Sequence, residues 1–133
     1  MVKLTDGQAS FLHDEPHVGV VATLREDGTA HQMVVWVDWD GEHVVLNLNT
    51  WRRKLAELER DPRVSILVVD KDDPYRWLSV DGVVVETTKD GAYEHIVRQS
   101  GVYLGRDSYP LQPGEERVLV RVLPERLEAY KVE

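Results

Sequence analysis

The chain has 133 residues and a formal net charge of −8, an acidic balance that argues against nonspecific binding to nucleic acid or to anionic membranes. It has no cysteine, which excludes disulfide scaffolds, thiolate metal sites and cysteine nucleophiles. With 42% hydrophobic and 30% charged residues it can bury a core under a well-solvated surface, and one domain spanning residues 1–133 is expected.

In chain order, "TDGQASFLHDEP" predicts a short helix capped by Thr5 or Asp6 and closed by Pro16. The β-branched run "VGVVATLR" turns at Asp27-Gly28, a hairpin signal, into "AHQMVVWVDW". That run alternates as one strand. His31, Met33, Val35, Val37 and Trp39 fall on one face, and Gln32, Val34, Trp36 and Asp38 on the other. A second Asp-Gly, Asp40-Gly41, leads into "HVVLNLN".

The next helix is expected from an N-cap at Thr50, with Trp51, Leu55 and Leu58 as its buried stripe and Asp61-Pro62 as its end. "RVSILVVD" and "YRWLSVDGVVVET" read as strands, the second bulged at Gly82. "KDGAYEHIVRQSGVYLG" places Ala92, Ile96, Ser100 and Tyr103 at helical spacing before a Gly105 cap. "RVLVRVLPERLEAYKV" closes the chain as a sixth strand. The expected class is mainly β: six antiparallel strands in a barrel with short helices. Runs such as "SILVV" are apolar on both faces, which points to a homodimer burying the second face. No run approaches the ~18 apolar residues of a membrane span and no signal-peptide core is present, so a cytoplasmic location and no membrane partner are expected.

The segment "NTWRRKLAELER" is electrostatically inverted, because Arg52, Arg53 and Lys54 crowd the positive end of a helix dipole. Each cation there costs roughly 0.3–1 kcal/mol. A bound anion reverses the sign, since free backbone N–H groups and charge-assisted bonds then act together. The alternative is a solvated turn supported by an Arg53–Glu57 pair. Among the tryptophans, Trp39 and Trp51 suit the core, while Trp77, beside Tyr75 and Arg76, suits a pocket wall for a flat ring. The five histidines form no metal set: Pro16 separates His13 from His17, and His31 and His43 on neighbouring strands lack a carboxylate at ligand spacing. Asp70, Asp72 and Asp73 read as a solvated turn, because Pro74 spoils a calcium loop. No serine lies in a nucleophile elbow, and no catalytic residue stands out.

Four segments together resemble the split-barrel flavin and deazaflavin proteins related to pyridoxamine-phosphate oxidase. They are "VGVVATLREDGTAHQMVVWVDWDG", "NLNTWRRKLAELERDPRVSILVVDKDDPYRWLSVDGVV", "AYEHIVRQSGVYLGRDSYP" and "PGEERVLVRVLPERL". The similarity is closest to the group using the deazaflavin coenzyme F420. It implies a six-stranded homodimeric split barrel with coenzyme sites at the subunit interface, a phosphate on Arg52, Arg53 and Lys54, and the ring against Gln32, Met33 and Val34. Asn47, Asn49 and Thr50 would flank that ring, and Tyr75 and Trp77 would reach it from the other subunit. The implied activity is hydride transfer from reduced F420 to an unsaturated small molecule. An FMN-dependent oxidase or reductase and a non-catalytic F420 or flavin carrier are the alternatives. The tail "PERLEAYKVE" lacks the basic residues with which pyridoxamine-phosphate oxidases hold their substrate.

Overall fold

The two Asp-Gly turns form as their residues dictate, with Gly28 and Gly41 at φ 87° and 100°, where side chains are disfavoured. Around them the computed structural model, which describes residues 2–133, builds α1 (Asp6–His13), β1 (Gly19–Leu24), β2 (Ala30–Val35), β3 (Val37–Trp39), β4 (Val44–Asn49) and α2 (Arg53–Arg60). It continues with β5 (Arg63–Val69), β6 (Trp77–Thr88), α3 (Ala92–Leu104) and β7 (Arg117–Tyr130). The sheet is antiparallel, ordered β2-β1-β5-β6-β7-β4-β3, and curls into a half-barrel.

There are seven strands among the described residues, not the expected six. "AHQMVVWVDW" breaks at Trp36: β2 pairs with β1, while β3 pairs with β4. The cause is tertiary. Trp36 stacks on Tyr103 of α3, with ring centroids 4.9 Å apart and planes 12° apart. The Tyr103 hydroxyl accepts from the Val37 N–H at 3.1 Å and lies 2.9 Å from the His17 carbonyl oxygen, so α3 occupies the point where the ladder would have continued. The break also alters the alternation beyond it, leaving Val37 and Asp38 both buried. His31, on the β2 edge, and His43, before β4, are consequently not on neighbouring strands.

One main cluster of buried apolar side chains makes the core. Phe11, Val21, Leu46, Leu48, Ile66, Leu78, Val120 and Val122 belong to it. β5 shows the period-two burial of a half-buried strand. The bulge at Gly82 forms as expected, with a register shift between Asp81 and Gly82 where the glycine lies against the Leu123 carbonyl. A methyl group there would overlap that backbone. Thr5 caps α1 in a full capping box with Gln8, and Gly105 ends α3 at φ 67°.

α2 departs from expectation at its start. Its N-cap is Arg52, without a side-chain cap bond, and not Thr50. Trp51 is therefore outside the helix and 54% exposed, so Leu58 and the half-buried Leu55 face the core without it. Glu57 turns inward to His31 and Thr23, and no Arg53–Glu57 pair forms.

Gln99 of α3 is fully buried, and both ends of its amide are without hydrogen-bond partners. An unsatisfied buried amide is costly, and an apolar replacement of similar shape removes that cost. Gln99→Met is expected to stabilise the protein by roughly 1–2 kcal/mol, read as a rise in thermal midpoint. A fall would mean that a buried water holds the amide.

Candidate functional site

A cavity of about 390 Å³ opens where the β2–β3 break meets α3 and the loop of residues 105–116, within the usual size of a small-molecule site. Val34, Trp36, Asn47, Arg52, Tyr109 and Arg117 line it, and Ile96 and Leu104 of α3 roof it. Three of these, Val34, Asn47 and Arg52, belong to the set the sequence singles out. Trp36, Tyr109 and Arg117 do not.

The three cations of the basic turn face three environments. Lys54 is wholly buried. Its Nζ donates to Thr23 Oγ1 at 2.9 Å and to the His31 carbonyl at 2.7 Å. Burial lowers its pKa to about 8 against the pull of Glu57, and Arg25 and Arg52 push the same way as burial. Arg53 is exposed. Arg52 lines the cavity, and its Nη1 is buried without a hydrogen-bond partner among the described residues. Asn49 Oδ1 is likewise buried and unpartnered, while its Nδ2 approaches Glu115 at 3.4 Å. Buried polar atoms without partners are rare in a folded chain. Here a free donor and a free acceptor flank the uncapped start of α2.

Asn47 is committed internally. Its Nδ2 donates to the Ala92 carbonyl at 2.8 Å and to His95 Nδ1 at 3.0 Å, and its Oδ1 accepts from Arg117 Nε at 2.9 Å. This fixes His95 with its proton on Nε2, which lies 2.9 Å from Asp38 Oδ2. Asp38 also accepts from Arg98 Nη2 at 2.5 Å and binds His13 Nδ1 at 2.7 Å. Burial works to raise the Asp38 pKa, but the hydrogen bonds from His95, Arg98, the Trp39 N–H and His13 overcome it and hold it at about 2. Arg117 is neutralised by Glu115 at 2.9 Å, and its guanidinium lies 5.4 Å from the centre of the Tyr109 ring. A continuous polar chain thus runs from Asp38 through His95 and Asn47 to Arg117 in the cavity wall.

The remaining sequence-selected residues lie elsewhere. Gln32 is exposed and Met33 half-buried on the β2 edge. Thr50 lines a separate groove between α2 and β6. Trp77 stacks against Tyr130, with centroids 6.4 Å apart, and Tyr75 is 71% exposed on the β5–β6 turn. Neither Tyr75 nor Trp77 lines the cavity. Glu15, His17 and Asp70 bring possible ligand atoms within 4.8 Å of one another. Arg76 pairs with both carboxylates there, at 3.2 and 2.8 Å, and the Lys71 N–H occupies His17 Nδ1. The cluster is a complete ion-pair network.

A curled antiparallel sheet of seven strands with three helices has the architecture of a split barrel. The pyridoxamine 5'-phosphate oxidase family model matches residues 4–131, and the chain belongs to that family. Its members typically bind FMN or F420 and include oxidoreductases that use them. Among solved structures, an F420 reductase is similar at 30% identity and a TM-score of 0.77, covering 94% of this chain and 98% of its own. A conserved hypothetical protein from Mycobacterium tuberculosis is 26% identical with a TM-score of 0.71, over 97% of this chain and 86% of its own. The haem storage protein of Vibrio cholerae shares the fold at 20% identity and a TM-score of 0.66, over 98% and 97%. No curated protein matches the chain. No helix among the described residues is long and apolar enough to cross a membrane.

Proposed function

We propose that the protein is an F420-dependent reductase that transfers hydride from the reduced deazaflavin to an unsaturated small molecule. The observation that carries this reading is the unpartnered, buried Nη1 of Arg52 at the cavity wall, next to a helix start that lacks both a cap and an acidic residue. That arrangement fits a coenzyme carrying an anionic tail and a flat, oxygen-bearing ring. When bound, the coenzyme supplies the hydride.

The chain's own residues then bind and orient. Arg52 and the exposed Arg53 hold the phosphate at the start of α2, with the helix dipole behind them. Lys54, from beneath, braces the turn through Thr23 and His31, and adds its charge to the local field. Asn49 Oδ1 is the acceptor available to a ring N–H. Val34 and the rest of the apolar lining exclude water from the reacting face. F420 is favoured over FMN by the similarity of an F420 reductase across nearly the whole chain.

The second element of the proposal is a homodimer. On the outer surface, Leu67, Tyr75, Val85 and Tyr130 are each at least 40% exposed, an apolar complement suited to a second copy. Sedimentation should give twice the monomer mass. The activity test is direct: reduced F420 mixed with a panel of enones and quinones should return to the oxidised, absorbing form at a rate that depends on protein. Tight F420 binding without turnover on any member would instead favour a carrier, and a protein isolated yellow would favour FMN.

A further inference from the structure

Beneath the basic turn, four residues close into a hydrogen-bonded ring. Lys54 Nζ donates to Thr23 Oγ1 at 2.9 Å, and the Thr23 hydroxyl donates onward to Glu57 Oε1 at 2.9 Å. Glu57 Oε1 also accepts from His31 Nδ1 at 2.7 Å, and the His31 carbonyl accepts from Lys54 Nζ at 2.7 Å, which closes the circuit. Thr23 of β1 faces His31 of β2 across their ladder, while Lys54 and Glu57 lie one turn apart on α2. Thr23, Lys54 and Glu57 are buried. His31 Nε2 engages no partner among the described residues, and the His31 side chain is 22% exposed.

The donor count lets this ring take three charge states in one geometry. Burial works to raise the Glu57 pKa, but the hydrogen bonds from His31 and Thr23 and the nearby Lys54 charge overcome it, so Glu57 stays ionised. With Lys54 charged and His31 neutral, the ring has no net charge. A proton added at His31 Nε2 leaves the Nδ1–H bond to Glu57 in place and makes the ring positive. An ammonium has three protons and Lys54 uses two, so loss of the third keeps both bonds and makes the ring negative. Burial, with Arg25 and Arg52 acting in the same direction, lowers the Lys54 pKa to about 8, which places that loss near neutral pH. The other charges nearby keep their sign. Arg25 is bonded to the Ala30 carbonyl and Arg60 to the Leu24 carbonyl, and Arg53 is exposed. Glu26 and Asp27 are exposed in the β1–β2 turn, where Thr29 engages Asp27.

We propose that the ring is a graded charge beneath the anion anchor. His31 gains a proton on the acid side and Lys54 loses one on the alkaline side. Each positive charge added tightens the hold of Arg52, Arg53 and the start of α2 on an anion, and the ring's bonds stay as they are. His31 acts here through the field and not by contact. That the anion is the coenzyme phosphate rests on the reading above, whereas the ring stands on its own bonds.

Sulfate is the probe, because it is fully ionised throughout and any pH dependence then belongs to the protein. It is titrated into the full-length protein at constant ionic strength and followed by the fluorescence of the exposed Trp51 beside the turn. Its affinity is expected to weaken about threefold for each charge lost, in two steps between about pH 5 and 9. His31→Asn, whose amide keeps a donor for Glu57, should lack the acid step and retain the alkaline one. Lys54→Arg, which keeps its charge, should show the converse. Linkage supplies a measurement that needs no variant to fold. In wild-type NMR spectra, saturating sulfate must raise the titration midpoints of His31 and Lys54 by the same factor, about 0.5 in pH.

An affinity that is flat across this range, an acid step that persists in His31→Asn, or midpoints that sulfate leaves in place overturns the proposal. F420 is then titrated in the same way. F420 binding with no step that His31→Asn removes overturns the ring's role at the coenzyme site and leaves the coenzyme reading intact. Sulfate steps of the expected kind, with neither F420 nor FMN bound, support the ring and overturn the coenzyme reading.

Discussion

Replacing Arg52 by alanine is expected to weaken F420 binding by about 10–100-fold, the loss of a charge-assisted hydrogen bond in a partly desolvated site. Its thermal midpoint should hardly move, because the buried Nη1 contributes no internal bond. Lys54→Ala should do the reverse. Lys54 Nζ holds Thr23 and the His31 carbonyl, and its side chain is fully buried beside Glu57. Its removal leaves a cavity and an under-paired Glu57, at a cost of roughly 2–4 kcal/mol. Binding at saturating coenzyme should still be measurable on the folded fraction. Parallel titrations and thermal melts of the two variants check both halves. If Lys54→Ala loses affinity without losing stability, and Arg52→Ala does the opposite, the roles given to the two cations are exchanged.

Asp38→Asn is the second large effect. The carboxylate gathers Arg98, His95, His13 and the Trp39 N–H, and substitution sets an amide N–H against those donors. Arg98 and His13 are partly exposed, so the loss is set at roughly 2–4 kcal/mol, below the full cost of breaking a buried pair. For a chain of this size that is roughly a 10 °C fall in midpoint. The pH dependence carries a sign. The folded pKa of about 2 lies below the ordinary 3.8, so the native state holds fewer protons on Asp38 than the unfolded chain between those values. The resulting stabilisation, about 2 kcal/mol, is complete above about pH 4 and is lost as pH falls through about 2. Acid denaturation of the wild type should show that slope, and Asp38→Asn should lack this part of it.

Much of the fold was legible because its signals are local. Two Asp-Gly turns, a capping-box residue, a glycine at the end of α3 and a bulge at Gly82 each act within a few residues. The strand count was not legible, because the break at Trp36 depends on Tyr103, far away in sequence. The inverted charges of Arg52, Arg53 and Lys54 were visible as a pattern, but their division of labour was not. Successive helical residues turn by about 100°, and the helix begins after Arg52, not after Thr50. That shift sends Trp51 outward and Lys54 inward.

The cavity's other members show the same limit. Asn47 meets Arg117 only because β4 pairs with β7, and Tyr109 reaches Trp36 only through the fold of its loop. A buried aspartate such as Asp38 signals itself by sitting in an apolar run, "VVWVDW". That cue marks a polar network, but it does not name the partners.

The most direct test of the central claim is a side-by-side titration of the wild type and Arg52→Ala with F420 and FMN, followed by intrinsic tryptophan fluorescence. The exposed Trp51, next to the basic turn, and Trp36, in the cavity wall, are placed to report it. Saturable F420 binding, tighter than FMN and weakened about 10–100-fold in the variant, is the predicted result. Tight FMN binding with no saturable response to F420, or F420 binding indifferent to Arg52, would contradict it.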